Sequence, residues 1–411
     1  MATGRVRTHL DALTGVRAYA ALAVLAFHAW LNAGHPALPI GPEAFSVDLS
    51  PYAKFGWIGV DVFFVLSGFL LTRVALSRTG PLAAPPRSIA ESLGESYGSY
   101  LRRRILRVYP AYYACMSVLL VLAVLGVYGR VPDEADMLLH VVMSHNFVER
   151  YIVSMNGVFW TLPFEWHFYL LFPLLLWLLR RFGAVALYAG AVVVVLATKA
   201  QVIWADDGFG QLLVLIRLDA FCAGMLASFL SHKYPLGRRA AIAAALAGMA
   251  LLLTLPFVFA KQPGVVHYYD VLGFVKPFWM HAAICLVLCA ITATRTAFVR
   301  LFDHPAIVWL GTISYSIYLW HLPVVELLPS VGLGADLAAP SWGGYLRLVA
   351  WTLAFVIPLS VVSYYTIERP FQRAGARRPD EARASPLRRP VVLLLAWAAA
   401  LLVAAAILRR L

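Results

Sequence analysis

Four side chains able to carry a proton stand inside long apolar stretches of this sequence: His28 in LTGVRAYAALAVLAFHAW, Asp61 in GVDVFFVLSGFLLTR, Glu165 in FWTLPFEWHFYLLFP and His321 in LGTISYSIYLWHLPV. An ionisable group in hydrocarbon costs roughly 2.5 kcal/mol or more, so each position marks function or a buried partner. Imidazole accepts and releases a proton near neutral pH, which makes His28 a candidate general base. Asp61 could orient that imidazole and stabilise its protonated form, as a third group does in hydrolase triads, with Glu165 its rival. The competing reading is structural: His28 bonds a neighbouring helix, and Asp61 is favoured by the dipole at a helix N-terminus. Ser67, beside Gly68, reads as a small packing residue rather than a nucleophile.

A second pattern involves arginine. Arg17 precedes His28 by eleven positions, so on a helix the two lie within about 20° of one face and about 16 Å apart along the axis. An anion anchored near one membrane surface and a base deep in the bilayer would use that spacing. Arg102, Arg103, Arg104 and Arg107 cluster in RRRILRVYPAYY, with Arg73 upstream; the planar guanidinium fork binds phosphate oxygens in pairs and stays charged. Their structural alternative is the excess of positive charge that marks cytoplasmic loops. Arg217 and Asp219, two apart in IRLDAFCAG, point to different helix faces, so each must find its partner elsewhere.

The elements that position these groups are membrane helices. Of 411 residues, 61% are hydrophobic and 13% charged, and the mean hydropathy is +0.76, which no soluble domain could bury. Long runs of Leu, Ala and Val favour an all-α transmembrane bundle over a barrel of short alternating strands. On the rule of about 20 apolar residues per span, eleven segments qualify, near residues 14–33, 57–77, 110–128, 159–179, 183–200, 208–231, 239–259, 270–292, 306–329, 346–367 and 391–408. Placing the N-terminus inside puts 23 of the 34 Lys and Arg on the cytoplasmic side, nine outside and two within spans, a split that favours this orientation. His28, Asp61, Glu165 and His321 then share one layer in the outer half, His28 about 7 Å below the surface. The net charge of +13 is accounted for by these loops, and no recognition module for nucleic acid is present. Cys115, Cys222, Cys285 and Cys289 fall in apolar runs and form neither a disulfide framework nor a metal site. The first span carries Arg17 and His28 and lacks a cleavage-like end, so it reads as retained rather than as a signal peptide.

These phrases, with YYTIERPF near the end, occur in order over residues 13 to 371, and together they resemble the acyltransferase-3 family of bacterial membrane O-acyltransferases. Arg17 and His28 match the family's Arg-x10-His pattern. Phe164, Glu165, Trp166 and His167 stand where many members have Glu-Glu-Gln after Trp-Thr-Leu, so only one of two adjacent acids is kept. The resemblance implies transfer of an acyl group, commonly acetyl, from acyl-coenzyme A to a hydroxyl, in the bacterial inner membrane and without a metal. It implies His28 as base, with Asp61 or Glu165 as its carboxylate. Arg17, Arg73, Arg102, Arg103, Arg104, Arg107 and Tyr109 would serve the donor, and Trp160 and His321 are further candidates. The acceptor would be a carbohydrate or glycosylated molecule. Residues 1–371 form the expected family domain of about ten helices, 372–390 a cytoplasmic linker, and 391–411 an appended span with no polar side chain for the chemistry. Two rival readings predict different things. A proton-coupled transporter needs paired broken helices, and a non-catalytic scaffold would lose activity only as it loses stability.

Overall fold

The computed structural model describes residues 9–42, 45–79, 86–205, 214–260, 271–376 and 388–408. It is a polytopic helical bundle. Eight of its helices are long and apolar enough to cross a membrane, and Ala184–Ala200 and Pro277–Ala293 are shorter apolar stretches. In chain order the main helices are α1 (His9–Asn32), α2 (Ile58–Thr79), α3 (Tyr97–Val124), α4 (Thr161–Phe182), α5 (Ala184–Ala205), α6 (Leu218–Lys233), α7 (Arg238–Ala260) and α8 (Val271–Ala293). They are followed by α9 (Pro305–Thr312), α10 (Ser314–Leu327), α11 (Trp342–Ser363), α12 (Arg369–Ala376) and α13 (Arg388–Leu408). The end of the bundle where α1 begins is called here the arginine-rich face.

Helices lie at all eleven expected segments, with three differences. α3 starts thirteen residues before the expected 110, because Ser96 caps it by accepting from the Ser99 N–H and the arginine cluster continues the helix. The segment expected as one span over 306–329 breaks at Ile313 into α9 and α10. The last core helix passes beyond 367 through a π-helical turn, Tyr364–Glu368, into α12, so the expected linker begins later than 372. Residues 377–387 of that linker, and 206–213 at the start of the sixth expected span, lie outside the described residues, as do Arg5, Arg7, Lys261, Arg409 and Arg410.

α1 runs through the middle, packed by α2, α9, α10, α11 and α8. Small residues set a very close contact of α2 on α6. A Cβ on Gly68 would sit 2.0 Å from the Phe221 carbonyl oxygen, and one on Gly224 would sit 1.9 Å from that of Val65. Lipid tails are as apolar as Leu, so close backbone approach, rather than a hydrophobic drive, selects such pairs. Phe64, Phe168 and Phe221 fill the space beside them, Phe168 stacked on Phe221 at 4.0 Å. At the opposite face a long connection over 125–160, with one short helix, Glu134–Val141, folds onto α3: the hydroxyls of Tyr112 and Tyr113 donate to the carbonyls of His140 and Val141. α13 closes over this connection, and its Trp397 indole N–H donates to Ser117 Oγ at 2.9 Å.

Candidate active site

One face of α1 carries the expected Arg17 and His28, and both meet α10. Arg17 Nε donates to Ser314 Oγ at 3.3 Å while its guanidinium lies 5.8 Å above the Phe63 ring. His28 Nδ1 is 3.0 Å from the Val24 carbonyl oxygen and 3.1 Å from His321 Nε2. His321 is fully buried, and its Nδ1 stands 2.8 Å from the Tyr318 carbonyl oxygen and 3.2 Å from that of Ile317. Sequence depth thus brought these two imidazoles into one layer, and the fold makes them bonded neighbours.

Toward the arginine-rich face, Arg17 enters a cavity of about 250 Å³ lined by Arg107, Glu165, Tyr315, Glu368 and Gln372 among others. A smaller hollow of about 30 Å³ shares Arg17, Glu165 and Tyr315 with it and adds Phe63, Thr161 and Tyr318. The smaller hollow, walled mostly by apolar side chains, reaches Tyr318, whose ring centroid is 5.7 Å from that of His321. Glu165 accepts from Ser67 Oγ at 3.0 Å and from the Tyr169 hydroxyl, so Ser67 has a polar partner beyond packing. Thr161 and Tyr318 hydroxyls are 2.8 Å apart, and Tyr318 donates to the Val158 carbonyl. The π turn presents Glu368 inward, where Ser316 donates to it. π turns recur at functional sites because the widened turn re-aims one side chain.

Asp61 does not reach His28. Its Oδ1 lies 3.2 Å from Arg217 Nη1 and 3.4 Å from His281 Nε2, and His281 Nδ1 is 3.9 Å from Asp219 Oδ2. The close α2–α6 contact turns this side of α2 toward α6 and α8, so the expected Asp61–His28 pair is replaced by a buried ionic cluster. Arg217 and Asp219 do find separate partners, as their spacing requires.

The basic cluster also divides. Arg107 faces the cavity. Arg104 sits over the rings of Tyr100 and Tyr169 at 5.8 and 5.6 Å, its Nε buried without a hydrogen-bond acceptor. Arg103 and Arg78 pair with Glu95, Arg102 donates to the Ala374 carbonyl at 2.8 Å, and Arg73 lies 5.9 Å over Phe69. Tyr109 is packed edge-on against Trp166 and Tyr113, and Trp160 against Phe164. Sequence reasoning passed over Glu368, Tyr315 and Gln372. The signal for Glu368 was available, since it is an acid at the end of an apolar helix in YYTIERPF. Among the described residues no group of three His, Cys, Asp or Glu side chains is arranged to hold a metal ion.

Behind the start of α4, the rings of His140 and His145 stack at 3.9 Å with 2° between planes, both fully buried. His145 Nε2 bonds the Phe159 carbonyl at 3.2 Å, His140 Nδ1 is 3.0 Å from Asp136, and Arg130 is 3.9 Å from that carboxylate. Burial, then the neighbouring His140, holds His145 well below the usual imidazole range of about 6.5. The unfolded connection therefore binds more protons than the folded one below that pH, and stability is full above it and falls as the pH drops. Limited proteolysis within 125–160 should accelerate from pH 8 to pH 5. His145→Gln, which keeps an N–H for Phe159, should blunt the change; an unaltered pH response in that variant would place the sensitivity elsewhere.

The family model described as an acyltransferase domain matches residues 10–365. Peptidoglycan O-acetyltransferase OatA of Listeria monocytogenes is 24% identical over 400 residues, covering 90% of this chain and 57% of the relative. Exopolysaccharide production protein ExoZ of Rhizobium meliloti is 28% identical over 336 residues, 79% of this chain and 92% of the relative. O-acetyltransferase OatA of Staphylococcus aureus strain NCTC 8325 is 23% identical over 391 residues, 89% and 58% respectively. The chain thus spans a little over half the length of the two OatA proteins and nearly all of ExoZ. No solved structure matches.

Proposed function

Because the chain belongs to the acyltransferase-3 family, we propose that it is a bacterial membrane O-acyltransferase that moves an acyl group, acetyl foremost, from acyl-coenzyme A to a carbohydrate hydroxyl. One observation carries this reading: a polar cavity lined by Arg107, Arg17 and Glu165 lies on the same face of α1 as an imidazole, His28, whose Nε2 has no hydrogen-bonding partner among the described residues. In this reading the arginine-rich face is cytoplasmic and the membrane is the inner one. The donor's phosphates meet Arg107, with Arg102 and Arg103 on the same helix nearby. The donor's amide-bearing arm lies along Arg17, Glu165 and Tyr315, whose side chains supply donors and acceptors for it.

His28 Nε2 takes the proton of the acceptor hydroxyl as that oxygen bonds to the thioester carbonyl carbon. The carbon–sulfur bond then breaks, and the departing thiolate takes the proton back from His28, so proton and charge balance without another reagent. Direct transfer is preferred because none of the four cysteines is paired with a histidine or carboxylate that could activate it: Cys115, Cys285 and Cys289 bond to backbone carbonyls, and Cys115 and Cys222 are buried. The relatives, a peptidoglycan O-acetyltransferase and an exopolysaccharide production protein, support a carbohydrate acceptor.

The test is donor binding and turnover by the full chain in detergent. Wild type should bind acetyl-coenzyme A and release free coenzyme A when a glycan acceptor is supplied. Arg107→Ala should weaken donor binding about 10- to 100-fold, the scale of a charged hydrogen bond to phosphate, and dephosphorylated donor analogues should lose less with that variant. Absence of binding to any short acyl-coenzyme A by wild type would end this reading.

A further inference from the structure

The hydrogen-bond chain around His321 has only one consistent arrangement of protons. His321 Nδ1 faces two carbonyl oxygens, at 2.8 and 3.2 Å; a carbonyl only accepts, so Nδ1 must carry the hydrogen. In the neutral ring Nε2 is then an acceptor, and it lies 3.1 Å from His28 Nδ1. His28 Nδ1 also faces a carbonyl, that of Val24 at 3.0 Å, and must therefore donate. The hydrogen on His28 Nδ1 is shared between Val24 and His321, and the lone pair of His28 is left on Nε2. That atom is not among the buried polar atoms without partners, so it faces accessible space.

We infer that His321 is the positioning residue of the base, a neutral imidazole standing where a carboxylate orients histidine in a hydrolase triad. This rests on His28 acting as the base. It changes what the base can do. A carboxylate would raise the proton affinity of His28 and make it the stronger base. A neutral acceptor adds no charge, so the free form is the weaker base. A weaker base suffices for attack on a thioester, whose carbonyl carbon is more electrophilic than that of an oxygen ester or amide and whose thiolate leaves without prior protonation.

The other titratable groups on helices around α1 leave this pair isolated. Asp61 on α2 and His281 on α8 bind each other, Arg347 on α11 donates to the Gly334 carbonyl, and α9 has none. On α10, Tyr318 is committed to Val158 and Thr161, and Glu326 accepts from the Tyr128 hydroxyl; Arg73 on α2 lies over Phe69.

The experiment uses full-length protein with His321→Gln, His321→Glu and His321→Leu, measuring coenzyme A release from acetyl-coenzyme A against pH, with melting temperature and donor affinity alongside. Gln and Glu both reach the place of His321 Nε2 with an accepting oxygen and differ in charge. Gln should keep turnover within about tenfold of wild type with the acid limb unmoved. Glu should shift that limb upward by about one pH unit or more, the displacement a nearby opposite charge produces. Leu should lower kcat by about 30-fold or more, within the range for general base catalysis, at unchanged donor affinity. An acid limb that stays put in His321→Glu, or wild-type kcat in a folded His321→Leu, would overturn the role of His321. Wild-type turnover in His28→Ala would instead overturn the base itself, and so the two failures are distinguishable.

Discussion

His28→Ala should bind acetyl-coenzyme A with wild-type affinity and turn it over at least ~100-fold more slowly, the contribution of a positioned base. The side chain lies beyond the arginine-lined cavity that would hold the donor, so truncating it leaves Arg17 and Arg107 in place. Its partners are one backbone carbonyl and one imidazole; the carbonyl is already paired within α1, so little structure depends on the ring. Melting temperature should accordingly change by only a few degrees. A scaffold whose polar groups merely join helices predicts the reverse, activity falling in step with stability. Binding, turnover and melting measured on one preparation separate the two, and a stable His28→Ala with near-wild-type turnover would remove His28 from the chemistry.

The second large effect concerns stability. Asp61→Ala should destabilise the folded bundle by roughly 3–5 kcal/mol, because it removes the buried carboxylate that Arg217 and His281 share. Asp61 is fully buried, and Arg217 and His281 are 5% and 1% exposed. Asp61→Asn keeps the shape and an accepting oxygen and should lose less. Thermal unfolding in detergent, monitored at fixed lipid content, reads this directly. In either variant the fraction that remains folded should turn over within about tenfold of wild type, since no contact joins Asp61 to His28. A folded Asp61→Asn with turnover reduced ~1000-fold, the scale of a lost catalytic group, would return Asp61 to the reaction.

The contrast between these two residues shows what the sequence made legible. The pairing of Arg17 and His28 on one face needs only the period of a single helix, which eleven intervening steps fix. The partner of Asp61 depends on which helices become neighbours, and that is decided by Gly68 and Gly224 allowing α2 and α6 to touch. No local pattern announces that two glycines 156 positions apart will meet. The depth argument placed Asp61 and His321 in the same layer as His28, which was sufficient to nominate them and insufficient to choose between them. The break at Ile313 is hidden for a related reason: the run from 306 to 329 is apolar enough on average to read as one span, and hydropathy records length without recording a kink. The arginine cluster was read as a unit, yet successive residues on a helix point about 100° apart. Arg104 accordingly turns to two tyrosines; Arg103 and Arg107 share a face one turn apart, and it is their height along α3 that gives Arg103 to Glu95 and puts Arg107, of these four, in the cavity.

The π turn at Tyr364–Glu368 makes this part of the chain tolerant of a change in length in a way that its neighbours are not. One residue more than an α-helical turn is wound into it, so deleting a single outward-facing residue there, Tyr365 or Thr366, would let an ordinary turn close with the downstream helix in nearly the same phase. Glu368 would keep its place in the cavity and Ala374 its place under Arg102. The same deletion within α11 would instead rotate everything downstream by about 100°. For lineages diverging from this sequence, this turn is where the loss of one residue can be accommodated without re-lining the donor path.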